Sequence, residues 1–400
     1  MQLESERMQF YIGDSSTLES IRQLPVDEPF SAPRIEFLND ISRALLSDQE
    51  AKAYPDVVTF AFWIRRANME KQKELFLSKT SFRLGRGTVF HIAPSNVAVN
   101  YAYSFAAGFV LGNANIVRLP SRDFPQIEII NRAVKRVLAQ NWQKWGEYII
   151  FLRYTRDQQI NDYLSSLCDV RVVWGGDATI HEIRKSELPP RAGEITFADR
   201  YSICVIDIQK YLETDDKEQM ALRFYNDTYL ADQNACTSPI LICWLGDNCK
   251  LAEAQEIFWN TLWPVVSQKY KAQPIQFVEK LVNCCSSSVH IPGCHVVKMR
   301  DNLITRVGLE QLPPDIQLYR GTSGFFFEYH LRNVMDLRPI CGDKLQTVAY
   351  CGNPEMLLPL VCSGIKGIDR IVPIGNAMNF GLIWDGHNLV ERMTREVYSD

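Results

Sequence analysis

Apolar residues recur at helical spacing in two early stretches, Ile35–Leu46 (Ile35, Leu38, Ile41, Leu45) and Tyr54–Phe76 (Phe60, Trp63, Ile64), each interrupted by charge. A stripe of that period predicts helices that bury one face. Ahead of them Pro25, Pro29 and Pro33 break any regular element, so residues 1–30 read as an arm or an edge hairpin. From Gly85 the pattern changes. Thr88–Ala93 is a β-like run, the loop Pro94-Ser95-Asn96 follows, and Val97–Leu111 is a helix of small and apolar residues stopped by Gly112-Asn113. Asn115–Leu119 is the next strand and completes a βαβ unit. The alternation continues with a helix at Asp123–Asn141, a strand at Tyr148–Leu152, a helix at Asp157–Leu167 capped by Asp157, and a strand at Val170–Trp174. Gly175-Gly176-Asp177 then opens a helix, and Ser202–Asp207 is a strand. Such alternation predicts an α/β fold built on a doubly wound parallel sheet, with ligands bound at the carboxyl ends of its strands.

After Asp207 the elements lengthen. An amphipathic helix at Glu213–Leu230 leads into a polar loop, Ile240–Leu245 is a strand, and Leu251–Tyr270 is a long helix carrying Phe258, Trp259 and Trp263. A strand at Leu345–Tyr350, a helix at Pro354–Cys362 and a strand at Ile368–Val372 follow, and the chain closes on a short helix. These elements predict a second α/β domain. The expected boundaries are 1–84 for an N-terminal arm and packing helices, 85–207 for a nucleotide-binding domain, 208–367 for a second domain carrying Cys236, and 368–400 for a return segment.

Composition narrows the function. A chain of 400 residues predicts two to three domains. Its net charge of -4 supplies no basic field to hold a polyanion, which argues against nucleic acid as a partner. The 11 cysteines are odd in number and irregular in spacing, and Met1 leads into Gln-Leu-Glu-Ser-Glu-Arg instead of a basic and then apolar leader. Reduced thiols and a cytoplasmic location are the expectation. No apolar run reaches the roughly 20 residues of a membrane span, since Tyr101–Leu111 stops at Gly112.

The chemistry centres on Asp232-Gln233-Asn234-Ala235-Cys236-Thr237-Ser238-Pro239, which sets one thiol among small and polar residues after a helix. A thiol attacks as the thiolate, so it needs donors nearby and room for substrate. The alternative reading of Cys236 is a small buried hydrophobe. Cys284-Cys285, His290 and Cys294-His295 have no metal-ligand spacing and read as loop and core residues. Gly85 and Gly87 precede a strand, so they are turn glycines and not a dinucleotide fingerprint.

Taken in order, the His91-to-Asn96 loop, Trp174-Gly175-Gly176, the octet around Cys236, Leu345-Gln346-Thr347 and the Asp369-to-Gly386 tail resemble the LuxC-type acyl-CoA reductases of the aldehyde dehydrogenase superfamily. The resemblance runs from about Gly85 to about Arg395. It implies an aldehyde-dehydrogenase-like fold with a nucleotide-binding domain, a catalytic domain and a small oligomerisation element. It also implies Cys236 as nucleophile, and Asn96 with the Cys236 backbone N–H as the oxyanion donors. An Asx turn or helix N-cap ahead of Val97 is the other reading of Asn96.

Arg118 falls where the superfamily has a lysine for the adenosine ribose or its 2′-phosphate, with Pro120 and Ser121 beside it. This is consistent with NADPH, and a solvated strand-end charge is the alternative. Gly175 and Gly176 match the loop that approaches the pyrophosphate, and Asp177 is expected to cap the helix and point away. Thr196 stands where hydrolysing relatives carry the glutamate that activates water, which favours reduction of a thioester over formation of an acid.

The expected activity is NADPH-dependent reduction of a fatty acyl-CoA or acyl-protein to the aldehyde through an acyl-Cys236 intermediate, without a metal. An acyl-protein synthetase partner and a homo-oligomer are also implied. Two rivals stand beside it: an acyl-carrying scaffold for such a synthetase without productive cofactor use, and an aldehyde dehydrogenase forming acid with Glu194 as base.

Overall fold

A computed structural model describes residues 7–77, 82–297 and 300–398 of the chain. The opening residues, on which the reading of no leader rests, lie outside them. The chain divides into one unit made of Met1–Ala198 with Leu382–Asp400 and a second made of Asp199–Gly381.

The first unit is built on β1 (Gln9–Ile12), β2 (Phe82–Gly85), β3 (Thr88–Ile92), β4 (Ala114–Arg118), β5 (Ile149–Arg153), β6 (Val170–Trp174) and β7 (Gly193–Phe197). Its main sheet has the order β1-β5-β4-β3-β6-β7. All pairs are parallel except β1 with β5. The expected edge element near the N-terminus is therefore a strand of this sheet. β2 pairs antiparallel with Thr394–Val397, so the chain closes on a strand that follows the short helix Leu389–Met393, not on the helix itself.

Local chemistry explains several boundaries. Asp157 caps the helix Gln158–Leu167 by accepting from the Ile160 N–H, as its sequence position predicts. The helix Asn100–Val110 starts three residues later than Val97, with Val99 in the capping position. Asn96 is therefore not its cap.

The second unit carries β8 (Tyr201–Asp207), β9 (Pro239–Leu245), β10 (His295–Val297), β11 (Thr305–Gly308), β12 (Phe325–Leu331), β13 (Leu345–Cys351) and β14 (Arg370–Pro373), in the order β10-β11-β12-β9-β8-β13-β14. Only β10 is antiparallel to its neighbour. The strand at 202–207, expected to finish the first sheet, lies between β9 and β13 in the second. The break falls at Ala198 instead of Asp207 because the hydrogen bonds of β8 go to β9 and β13.

The strands of this sheet are apolar on both faces. Ile203, Val205, Leu241, Cys243, Phe325 and Phe327 enter one core, and Cys204, Ile206, Ile242, Trp244 and Phe326 the other. Parallel strands covered on both sides read as continuous apolar runs for this reason.

Candidate active site

In the second unit the chain leaves the helix Lys217–Thr228 through one tight turn, Tyr229–Ala231. It then passes through Asp232 (φ 50°) and Gln233 (φ 58°). Left-handed backbone is uncommon outside glycine, so something must hold it. The Asp232 carboxylate accepts from Tyr270 Oη at 2.7 Å and Gln276 Nε2 at 3.3 Å, and its carbonyl accepts from the Ser323 N–H.

Gln233 is buried, and its side chain is fully engaged. Nε2 donates to the Pro239 and Phe325 carbonyls, each at 2.9 Å, while Oε1 accepts from the N–H groups of Gly324 at 3.0 Å and Phe325 at 3.1 Å. A primary amide has two donors and one two-lone-pair acceptor, so nothing on it is left unsatisfied. Gln233 thereby clamps the start of β9 to the start of β12.

Downstream of the clamp the Ser238 N–H donates to the Ala235 carbonyl at 3.0 Å, which makes Ala235–Ser238 a turn with Cys236 at its corner. Ser202 Oγ donates to the Cys236 carbonyl at 2.7 Å, and Ser238 Oγ donates to the Asp227 carbonyl at 2.8 Å. Thr237 Oγ1 contacts Met378 Sδ at 3.2 Å. Gln233, Thr237 and Ser238 are buried, whereas Asn234 is exposed and Cys236 is half-buried.

Cys236 is thus a partly exposed thiol on a turn held from beneath. By contrast Cys168 and Cys341 are buried, and desolvation pushes their thiols up to about 12. The position of the thiol within the sheet differs from the general rule for doubly wound folds. Cys236 sits at the amino end of β9, not at a carboxyl end.

Beneath the turn Asp227 is buried, and its carboxylate accepts from the Gly375 N–H at 2.5 Å and the Ala377 N–H at 3.0 Å. Burial raises it to about 6, against the pull of those donors. Lys280 is also buried and donates to the carbonyls of Asn302 and of Ser323, the latter at 3.0 Å. Desolvation lowers it to about 8. Ser323 is the residue before Gly324, on which Gln233 closes.

In the first unit the sequence-predicted binding residues converge on one edge. β3 and β6 are neighbours, and the chain runs from β3 to β4 on one side and from β6 to β7 on the other. The carboxyl ends of β3 and β6 therefore form a topological switch point, the place where open α/β sheets accept ligands. Pro94, Ser95 and Asn96 follow β3, and Gly175 and Gly176 follow β6. Ser95, Asn96 and Gly176 are exposed, and among the described residues the Asn96 side chain makes no hydrogen bond.

A Cβ on Gly175 would meet Thr179 at 3.1 Å, while one on Gly176 would meet nothing within 4 Å. Gly175 serves packing, and Gly176 opens onto space a ligand can enter. Arg118, at the carboxyl end of β4, is half-buried with its guanidinium 4.4 Å from the Tyr154 ring centroid. Pro120 is buried and Ser121 exposed. A cation, an open glycine and exposed polar groups along one edge fit a dinucleotide. Asp177 is a correction: Gly176 occupies the capping position, and Asp177, exposed, is the first helical residue and not the cap.

Thr196 and Glu194 share one face of β7 because strand side chains alternate. Glu194 Oε2 accepts from Arg171 Nη2 at 2.5 Å and Nε at 2.8 Å, and Oε1 accepts from Arg184 Nε at 2.7 Å. Both oxygens are occupied. Among the described residues no group of His, Cys, Asp and Glu side chains could hold a metal ion, and no helix is long and apolar enough to cross a membrane.

The model of the acyl-CoA reductase (LuxC) family matches residues 63–266, about half of the chain and the part that holds β3, β4, β6, Cys236 and β9. The chain belongs to that family. A long-chain acyl-protein thioester reductase from Aliivibrio fischeri is 24% identical over 166 residues, 42% of this LuxC-family chain. The match spans about a third of that relative (33%).

Solved structures extend the likeness to the whole fold. A NAD-dependent benzaldehyde dehydrogenase from Corynebacterium glutamicum superposes with a TM-score of 0.68 at 12% identity, covering 98% of this chain and 94% of its own. A salicylaldehyde dehydrogenase from Pseudomonas putida G7 gives 0.64 at 14%, covering 96% and 87%. The LuxC-family chain therefore has the aldehyde dehydrogenase fold. Gln233, Ser202 and Asp227, which hold the Cys236 turn, carry no sequence signal of that role. Their partners are distant in the chain, and glutamine is not a residue that marks left-handed backbone.

Proposed function

We propose that this protein reduces an acyl thioester, a fatty acyl-CoA or an acyl-protein, to the aldehyde, with Cys236 as the covalent carrier and NADPH as the reductant. The Cys236 sulfur forms a bond to the acyl carbon, and the carrier thiolate departs with the electron pair of the bond that breaks. Charge developing on the carbonyl oxygen meets the Cys236 backbone N–H. A nicotinamide cofactor, held by Arg118, Pro120, Ser121, Gly175 and Gly176, supplies a hydride when bound. Cleavage of the carbon–sulfur bond at Cys236, with one proton, returns the thiol and releases aldehyde. An acyl-protein donor would come from a synthetase that activates the acid.

The observation that carries this reading is the Cys236 turn, a half-buried thiol fixed by buried hydrogen bonds at Ser202, Gln233 and Ser238. Reduction is favoured over hydrolysis because Thr196 offers no base and both oxygens of Glu194 are engaged by arginines. The reductase named among the relatives supports the same direction.

A single-turnover assay with labelled long-chain acyl-CoA tests it. Label is expected on the Cys236 peptide, discharged as aldehyde only when NADPH is added, and absent in Cys236→Ala with the fold retained. Label on another cysteine, discharge as acid, or aldehyde from Cys236→Ala would overturn it.

A further inference from the structure

Two segments of the second unit meet beside the Cys236 thiol, and one buried residue holds both. The first is the Cys236 turn, and the second is the loop 375–379 that follows β14. They touch where Thr237 Oγ1 lies 3.2 Å from Met378 Sδ. Asp227, next to last in the helix Lys217–Thr228, reaches each of them. Its main-chain carbonyl accepts from Ser238 Oγ at 2.8 Å. Its carboxylate accepts from the N–H groups of Gly375 at 2.5 Å, of Ala377 at 3.0 Å and of Met378.

The carbonyl side of the same loop is held by a cation. Arg370, on β14, donates through Nη1 to the Ala377 carbonyl at 3.1 Å and through Nη2 to the carbonyls of Asn379 at 3.1 Å and Asn376 at 3.4 Å. The Asn376 and Asn379 N–H groups donate to the Pro373 and Asn376 carbonyls. Every N–H from 375 to 379 therefore has a partner. Gly375 allows the close approach, since its φ is 98° and a Cβ there would stand 2.7 Å from Arg223 Cβ.

A carboxylate suits this grip. Ionised, it offers two acceptor oxygens and no donor, and charge-assisted hydrogen bonds are roughly twice as strong as neutral ones. Protonation removes the charge and sets an O–H among three N–H groups. Yet the place is a costly one for an anion, because Asp227 is 1% exposed and burial raises it from an ordinary 3.8 to about 6. The stability contributed by an acid raised in this way is complete below 3.8 and is lost as pH rises through 6. At neutral pH the charge grips the loop at the expense of the fold, the pattern of a group kept for function.

We propose, on the reading that Cys236 carries the acyl group, that Asp227 is a positioning residue for acylation: with Arg370 it fixes the loop 375–379 against the Cys236 turn, and acyl transfer to the thiol requires its ionised form. The charged and titratable groups facing its carboxylate are Arg370 from β14, which favours the anion, the buried Cys204 thiol from β8, and Arg223 from its own helix, whose stem lies against Gly375.

Single-turnover acylation of Cys236 by labelled long-chain acyl-CoA, measured across pH 5 to 7, tests this. Alkylation of Cys236 by iodoacetamide is followed at each pH, and the ratio of the two rates divides out ionisation of the thiol itself. The wild-type ratio is expected to fall about tenfold between pH 7 and pH 5, as the ionised fraction of a group with a value near 6 does, while circular dichroism shows the fold intact. Asp227→Asn should have a ratio about tenfold lower at pH 7 and no acid limb, so that a limb arising from the phosphates of coenzyme A would persist in it. Arg370→Gln, which removes the cation but keeps a donor, should move the wild-type limb to higher pH, and it provides the test if the Asn variant fails to fold. A flat wild-type ratio, an acid limb retained in Asp227→Asn, or an unmoved limb in Arg370→Gln would overturn the proposal alone. Wild type that is alkylated at Cys236 but never acylated would overturn both the proposal and the acyl-carrier reading.

Discussion

Gln233 holds the Cys236 turn with four hydrogen bonds from a side chain that never reaches the thiol. Gln233→Ala leaves two N–H groups and two carbonyls in a buried place without partners, each costing about 1–3 kcal/mol if water cannot reach it. The expected result is a loss of roughly 3 kcal/mol in denaturant unfolding, together with slower acylation of Cys236. Unchanged stability would mean that water replaces the amide. His91 is buried in the first unit between Ser104 Oγ at 2.7 Å and Asn115 Oδ1 at 3.0 Å. Burial lowers it to about 4 from an ordinary 6.5. A histidine depressed in the folded state contributes stability that is complete above its unfolded value and is lost as pH falls from 6.5 toward 4. Comparison of the wild type with His91→Gln should isolate a loss of about 2 kcal/mol between pH 7 and pH 5. Parallel pH profiles for the two proteins would show that the imidazole does not titrate in this range.

At the scale of elements, the two glycines after β6 divide the work of one loop. Gly176 has φ -65° and ψ 165°, which alanine adopts without strain, and its Cβ would stand in open space. Gly176→Ala is therefore expected to melt at the wild-type temperature without ligand and, on the proposed function, to lose most of the increase expected from NADPH, since a ligand that binds only the folded state must raise stability. An undiminished NADPH shift would remove this loop from the cofactor site.

Elements with ordinary polarity were legible. β6 occupies Val170–Trp174 as expected, and the Asp157 cap is where its sequence position puts it. The helix Pro274–His290 was not. Its apolar positions do recur at helical spacing, yet Cys284-Cys285 and His290 within it read as loop and core residues. β7, β11 and β12 also escaped, β11 because four residues give too few alternating positions to stand out.

At the scale of the whole molecule, the sequence by itself determined the α/β alternation, the position of Cys236, and the motif order that marks the LuxC family. These follow from local propensity and from side chains near in the chain. Only the tertiary structure assigned β8 to the second sheet, because strand pairing depends on which edge is available and not on the strand's own residues. Likewise, only the fold gathered Asn96, Arg118, Gly175 and Gly176 on one sheet edge, since adjacency of β3 and β6 spans 80 positions of chain that sequence spacing does not encode. Glu194 shows the same division. As a residue it is a plausible base, and only the positions of Arg171 and Arg184 around it show that its oxygens are already held.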